Sequence, residues 1–197
     1  PLPDGDVLIH CGDSTYRGDI GKFSKFVQWF ASQAHTHKIL IFGNHELKFE
    51  SSKHDIAVNI VQQNNIHCLE NSSVVIDQIK FWGSPVTPYF GGWEYNVERG
   101  PEIAKIWDKI DDDTAVLITH GPPYGIGDGI PEYGRFLHVG DEDLLNRIYE
   151  LKNLKAHCFG HIHEAYSFVE RDGIKFANAS ICDGNYRPIN KPIVFEI

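Results

Sequence analysis

Apolar residues recur along this chain in two alternating rhythms. Short, β-branched runs read as strands at Val7-Leu8-Ile9-His10-Cys11 and at residues 38–42, 66–69, 115–119 and 156–159. Between them come helical patterns. Ile20, Phe23, Val27, Phe30 and Ala34 repeat at spacings of three and four, and further helices are predicted over 54–63 and 101–110. A fourth begins at Asp141, Glu142 and Asp143, acids that suit a helix N-terminus, and turns Leu144, Leu145, Ile148 and Leu151 inward. Val74-Val75-Ile76, Asp77-Gln78 and Ile79 to Trp82 predict a hairpin, and the tail predicts strands near 165–170, 174–178 and 193–197. Two stretches lack periodicity: an aromatic-rich segment, 83–100, and a Gly/Pro-rich loop, 121–140. Alternating strands and helices define an α/β fold. No repeat or linker divides the chain, so one domain over residues 1–197 is expected.

Composition narrows the function classes. With 42% hydrophobic residues, the 197-residue chain can bury a substantial core. No run is long and uncharged enough for a membrane helix, so no membrane partner is expected. The net charge of −9, with no Lys/Arg cluster, argues against a nucleic-acid polymer as partner. Cys11, Cys68, Cys158 and Cys182 are widely spaced and form no C-x-x-C pair, which suggests a reducing, cytoplasmic setting. The chain has no methionine, hence no start residue, and the expectation is a piece of a longer protein.

The chemistry sits at the strand ends. Four strands run into Gly12-Asp13, Gly43-Asn44-His45-Glu46, His120-Gly121 and Gly160-His161-Ile162-His163. Ligand sites in parallel α/β sheets form beyond the C-terminal ends of strands, so Asp13, Asn44, His45, His120, His161 and His163 are expected in one crevice. Oxygen and imidazole donors without thiolate suit Mn, Fe, Zn or Mg. His161 and His163 are placed to bracket two neighbouring ions, the layout in which a metal-bridging hydroxide attacks phosphorus in line. His45 beside them would protonate the leaving oxygen or stabilise the phosphoryl oxygens. The other histidines (His10, His35, His37, His54, His67, His138, His157) read as structural or solvated, with His10 and His157 buried in strands. Trp82, Tyr89, Phe90, Trp93 and Tyr95 either wall a nucleobase site or pack a long loop.

Taken together, the four blocks resemble the calcineurin-like metallophosphoesterases. Gly43 to Leu47, Trp82-Gly83-Ser84-Pro85, Leu117 to Pro123, Phe159 to Glu164, Asn178-Ala179-Ser180 and Asn185-Tyr186 extend the resemblance to a narrower group, the metallophosphoesterase-domain-containing proteins. The resemblance implies a four-layer α/β/β/α sandwich, two divalent metal ions in the complete site and at least one in this chain. It implies Asp13 as bridging carboxylate, Asn44, His120 and His161 as ligands of the second metal, and His163 as a ligand of the first. His45 corresponds to the non-ligand histidine near the scissile phosphate, with Asn44 and His45 contacting substrate. The implied activity is hydrolysis of small nucleotide-like phosphodiesters, cyclic nucleotides among them. The family's opening D-x-H is absent, and Asp4 and Asp6 lie ~20 Å from the strand's other end at ~3.3 Å per residue. The expectation is therefore a chain truncated at its N-terminus and lacking the first strand. The alternative reading is a non-catalytic metal- and nucleotide-binding module. The oligomeric state is left open.

Overall fold

The computed structural model describes residues 2–46 and 51–197. In chain order the elements are β1 (Val7–His10), α1 (Ile20–Ala31), β2 (His37–Leu40), α2 (Ser51–Gln63), β3 (His67–Cys68), β4 (Ser72–Ile76) and β5 (Ile79–Ser84). Then come β6 (Thr87–Pro88), β7 (Asn96–Val97), α3 (Pro101–Trp107), β8 (Val116–Thr119), β9 (Gly129–Glu132) and β10 (Arg135–His138). Last are α4 (Glu142–Glu150), β11 (Ala156–Phe159), β12 (Ser167–Arg171) and β13 (Ile174–Asn178).

Two sheets form the centre. The smaller is parallel, in the order β1-β2-β3. The larger runs β12-β13-β11-β8-β5-β4, parallel inside and antiparallel at both edges. The period of two along each strand decides what lies on each face. In and just beyond β2, Leu40 and Phe42 point to a core with Phe23, Val27 and Phe30 of α1 and Ala57 and Val61 of α2. Ile39 and Ile41, one residue out of phase, point the other way and meet Phe81, Val116, Ile118 and Ala156 of the larger sheet. Those strands in turn send Trp82, Leu117, Phe159 and Phe176 to a third core with Ile103 and Trp107 of α3 and Leu144 and Ile148 of α4. Three cores between four layers make an α/β/β/α sandwich, the fold that the family resemblance implied.

Local chemistry sets the element ends. Asp19 caps α1 by accepting the Lys22 N–H at 2.7 Å, and Asp141 caps α4 through Leu144 N–H at 2.7 Å. The β4–β5 hairpin turns on Asp77-Gln78, both in the left-handed region, as a two-residue turn matched to strand twist requires.

Three expectations need correction. Helix α1 stops at Ala31, because Ser32 Oγ and Gln33 Nε2 both bond the Trp29 carbonyl and end the ladder, leaving Ala34 outside and exposed. The 121–140 loop holds a β9–β10 hairpin, closed at Tyr133-Gly134 by two positive φ angles. Residues 193–197 form no strand. Phe195 anchors that segment by packing into the inter-sheet core and stacking on Phe168, while Val194 and Ile197 stay exposed.

Candidate metal centre

Both sheets end at the same place. Asp13 follows β1, Asn44 and His45 follow β2, His120 follows β8, and His161 and His163 follow β11. The larger and smaller sheets thus supply two groups of donors that face each other across the inter-sheet seam. Two of the turns are unusual: Asp13 (φ 60°) and His161 (φ 67°) occupy the left-handed region, which costs a non-glycine residue energy and clusters at functional sites.

One ligand atom from each of Asp13, His120 and His161 lies within 4.8 Å of the others. His120 is fully buried, and its Nδ1–H donates to the Cys11 carbonyl at 2.7 Å. That bond fixes the ring and turns Nε2 toward two oxygens, Asn44 Oδ1 at 2.8 Å and Asp13 Oδ2 at 3.3 Å. A nitrogen facing two oxygen acceptors needs a proton or a cation among them. Burial, the largest single influence, pulls His120 down, but the Asp13 carboxylate, the Cys11 carbonyl and Glu46 together raise the imidazole above its ordinary value. Burial likewise acts to raise Asp13, but His120 and the His45 N–H, 2.8 Å from Oδ1, hold it well below the usual carboxylate range. His161 is pushed down to about 3, by burial first and by His120 second, so it presents a neutral ring with a free lone pair. An ionised carboxylate, an amide oxygen and two imidazoles at this spacing fit a divalent ion. The approach is close: a methyl at Gly43 would strike Asp13 Oδ1 and sit 2.6 Å from His120 Cε1, so only glycine serves there.

The remaining expected residues occupy defined places. His45 donates its Nδ1–H to the Tyr16 carbonyl at 2.9 Å, which leaves Nε2 as the nitrogen able to exchange a proton. His163 begins a short 3₁₀ turn with its ring 5.0 Å from Tyr186, on the same cavity but outside the tight donor group. Asp6 bonds His37 N–H through its carbonyl at the start of the β1–β2 pair, the end of the sheet remote from the site. Leu47, which closes the Gly43 block, lies outside the described residues.

Sequence reasoning gave no role to Glu46, which is buried and ties the two small-sheet loops together. Its Oε2 accepts Asp13 N–H at 2.8 Å and Gly43 N–H at 2.7 Å, and its Oε1 accepts Ser14 Oγ–H and Thr15 N–H at 2.9 Å each. Burial first and Asp13 second push its carboxyl above the ordinary value, against the pull of these donors. Asn178 does similar service for the larger sheet, donating from Nδ2 to the Ile162 carbonyl between His161 and His163. Its clue was position, directly at the end of β13.

A cavity of about 460 Å³ opens on the centre, lined by Asp13, Asn44, His45, His161 and His163 and walled by Tyr89, Phe90 and Trp93. Trp93 lies 4.6 Å from the His45 ring, Phe90 lies 5.1 Å from the His161 ring, and the two aromatics are nearly parallel, 18° apart. Trp82 and Tyr95 are not part of this wall. Trp82 is buried against α3 and α4, and Tyr95 stacks on Phe42 beside the α1–α2 core. His157 is fully buried within its strand, whereas His10 is half-buried, with its ring on Phe26. All four cysteines are free, and among the described residues no helix is long and apolar enough to cross a membrane.

Over residues 1–165 the chain matches the calcineurin-like phosphoesterase family, and it belongs to that family, whose members use divalent metals. Among individual proteins, it is similar to metallophosphoesterase domain-containing protein 1 of Homo sapiens, with 36% identity over 219 aligned residues, covering 100% of this chain and 66% of that one. The chain thus spans just under two thirds of that relative's length. UPF0046 protein C25E10.12 of Caenorhabditis elegans is 35% identical over 210 residues, with 100% of this chain and 74% of that protein covered. The crystal structure of TT1561 of Thermus thermophilus shares the fold at a TM-score of 0.54 and 12% identity, covering 88% of this chain and 75% of that one.

Proposed function

We propose that the chain hydrolyses phosphodiester bonds in small nucleotide-like substrates, cyclic nucleotides among them, with bound divalent metal. The carrying observation is the convergence of Asp13, Asn44, His120 and His161 beside His45 on one aromatic-walled cavity. A divalent ion held by those four residues would polarise a phosphoryl oxygen and lower the pKa of bound water. The chain's own groups supply the rest. His45, oriented by Tyr16, gives a proton from Nε2 to the departing oxygen. Asn44 contacts the phosphoryl group, and Phe90 and Trp93 offer flat faces to a base or aryl leaving group. His163 would belong to a second ion.

A second reading, a one-ion nucleotide-binding module, draws on the single tight donor group found among the described residues. Hydrolysis of bis-p-nitrophenyl phosphate with added Mn²⁺ separates the two, comparing this chain with Asp13→Ala. Activity lost in the variant supports the hydrolase. Equal background in both, with metal still bound by the parent chain, leaves the binding module.

A further inference from the structure

Among the described residues, Arg99 is the one lysine or arginine lining the cavity. The carboxylates on its wall are Asp13 and Glu164, in a chain whose net charge is −9. Arg99 sits just before α3, with its side chain 49% exposed. NH1 donates to the Gly140 carbonyl and NH2 to the Val139 carbonyl, each at 2.7 Å. Asp141 Oδ2 lies 3.7 Å from NH1, and this buried oxygen has no hydrogen-bond partner. These contacts fix the guanidinium plane and use two of its five N–H groups, so three donors remain on a group that lines both this cavity and a neighbouring one walled by Asp141, Glu142 and Asp143. A planar fork already immobilised loses little entropy when it takes a bidentate oxyanion.

The cavity wall therefore carries two positive groups when the donor cluster holds a cation: the ion and Arg99. We propose that Arg99 reads a second anionic group, phosphate or carboxylate, on a substrate whose scissile phosphate lies at the Asp13–His120–His161 cluster. This rests on the phosphoesterase reading for the identity of the first group. Glu164, the wall carboxylate outside the donor cluster, would repel such an anion, so Arg99 also fixes the direction in which the substrate lies.

The rival role for Arg99 is purely structural, holding the β9–β10 hairpin through residues 139 and 140. The test compares calorimetric binding of thymidine 5′-phosphate, thymidine 5′-diphosphate and thymidine 3′,5′-bisphosphate, with Mn²⁺, to the parent chain and to Arg99→Gln and Arg99→Lys. The expected result is that at least one doubly phosphorylated probe binds the parent about tenfold tighter than the monophosphate, as one charge-assisted contact allows. Arg99→Gln should erase that preference while leaving monophosphate affinity within about threefold, and Arg99→Lys should restore part of it. No preference in the parent overturns the proposal, and so does an equal loss for every probe in Arg99→Gln, the mark of a hairpin anchor alone. If the parent shows an Arg99-dependent preference but cleaves no phosphodiester, the hydrolase reading fails and the assignment of Arg99 stands.

Discussion

Glu46→Gln changes one oxygen to an NH₂ group where four short hydrogen bonds and a fifth, longer one converge. The carboxylate accepts Asp13 and Gly43 N–H on Oε2 and Ser14 Oγ–H and Thr15 N–H on Oε1, with a longer contact from Thr15 Oγ1 at 3.4 Å. A glutamine can serve only one pair. Its best orientation sets NH₂ against Ser14, whose hydroxyl can rotate to accept, but the Thr15 N–H then faces another donor. One unsatisfied buried N–H costs about 1–3 kcal/mol, and losing the charge on the acceptor weakens the surviving pair by about 1 kcal/mol each. Relief of desolvation, and of repulsion from Asp13, returns part of this, since those two causes already push the Glu46 carboxyl upward. The net expectation is a loss of about 2–4 kcal/mol, or roughly 5–15 °C in Tm for a chain of this size. Thermal unfolding by circular dichroism, with saturating Mn²⁺ and separately with chelator, reads this directly. Because Glu46 orders the loops bearing Asp13 and Asn44, Mn²⁺ affinity should fall as well. A Tm within about 1–2 °C of the parent's and unchanged Mn²⁺ affinity would show that the loops hold without this carboxylate, and the reasoning would be wrong.

Two further outcomes are expected. His45→Ala should keep bound metal, measured by atomic absorption after desalting, while phosphodiester turnover falls roughly 10²–10⁴-fold; loss of metal would move His45 into the ligand set. His157 should make the fold acid-sensitive. It is fully buried and pushed down to about 3 by burial, and its Nε2 bonds Thr119 Oγ1 at 2.7 Å. Below an unfolded value near 6.5 the open chain takes up a proton that the folded state refuses, so stability present above that pH is lost on acidification. The loss runs at up to about 1.4 kcal/mol per pH unit, roughly 2.7 kcal/mol by pH 4.5. His157→Gln should shrink the Tm drop between pH 7.5 and 4.5 by several degrees, and an unchanged drop would clear this histidine of the effect.

The strand ends were legible because each couples an apolar run to a chemistry-bearing residue at its C-terminal tip, and the parallel order of β1–β2 and of β5, β8 and β11 brings those tips together. Glu46 was not legible, since a glutamate is ordinarily solvated; the left-handed turn at Asp13 aims backbone N–H groups at it and makes its burial tolerable. The β9–β10 hairpin escaped because Pro131 interrupts the run and no core fixes an alternation: residues 131–138 are exposed throughout. Residues 193–197 misled for the opposite reason. Their run is apolar and strand-like in composition, but they pair with no strand and one aromatic holds them instead.

The donors come in pairs from opposite sides of the seam, and this bears on how the molecule comes apart. Asp13 and Asn44 belong to the layer that α1 and α2 cover, and His120 and His161 to the layer that α3 and α4 cover. No ion can find all four until both halves have docked, so its binding energy weighs on docking and on neither half alone. Apparent stability then becomes a property of the solution as much as of the chain. An ion at about a hundred times its dissociation constant adds about 2.7 kcal/mol, and a chelator takes it away. Amide exchange in chelator should accordingly quicken first in the donor-bearing turns that follow β1, β2, β8 and β11, while helices α1, α3 and α4 keep their protection.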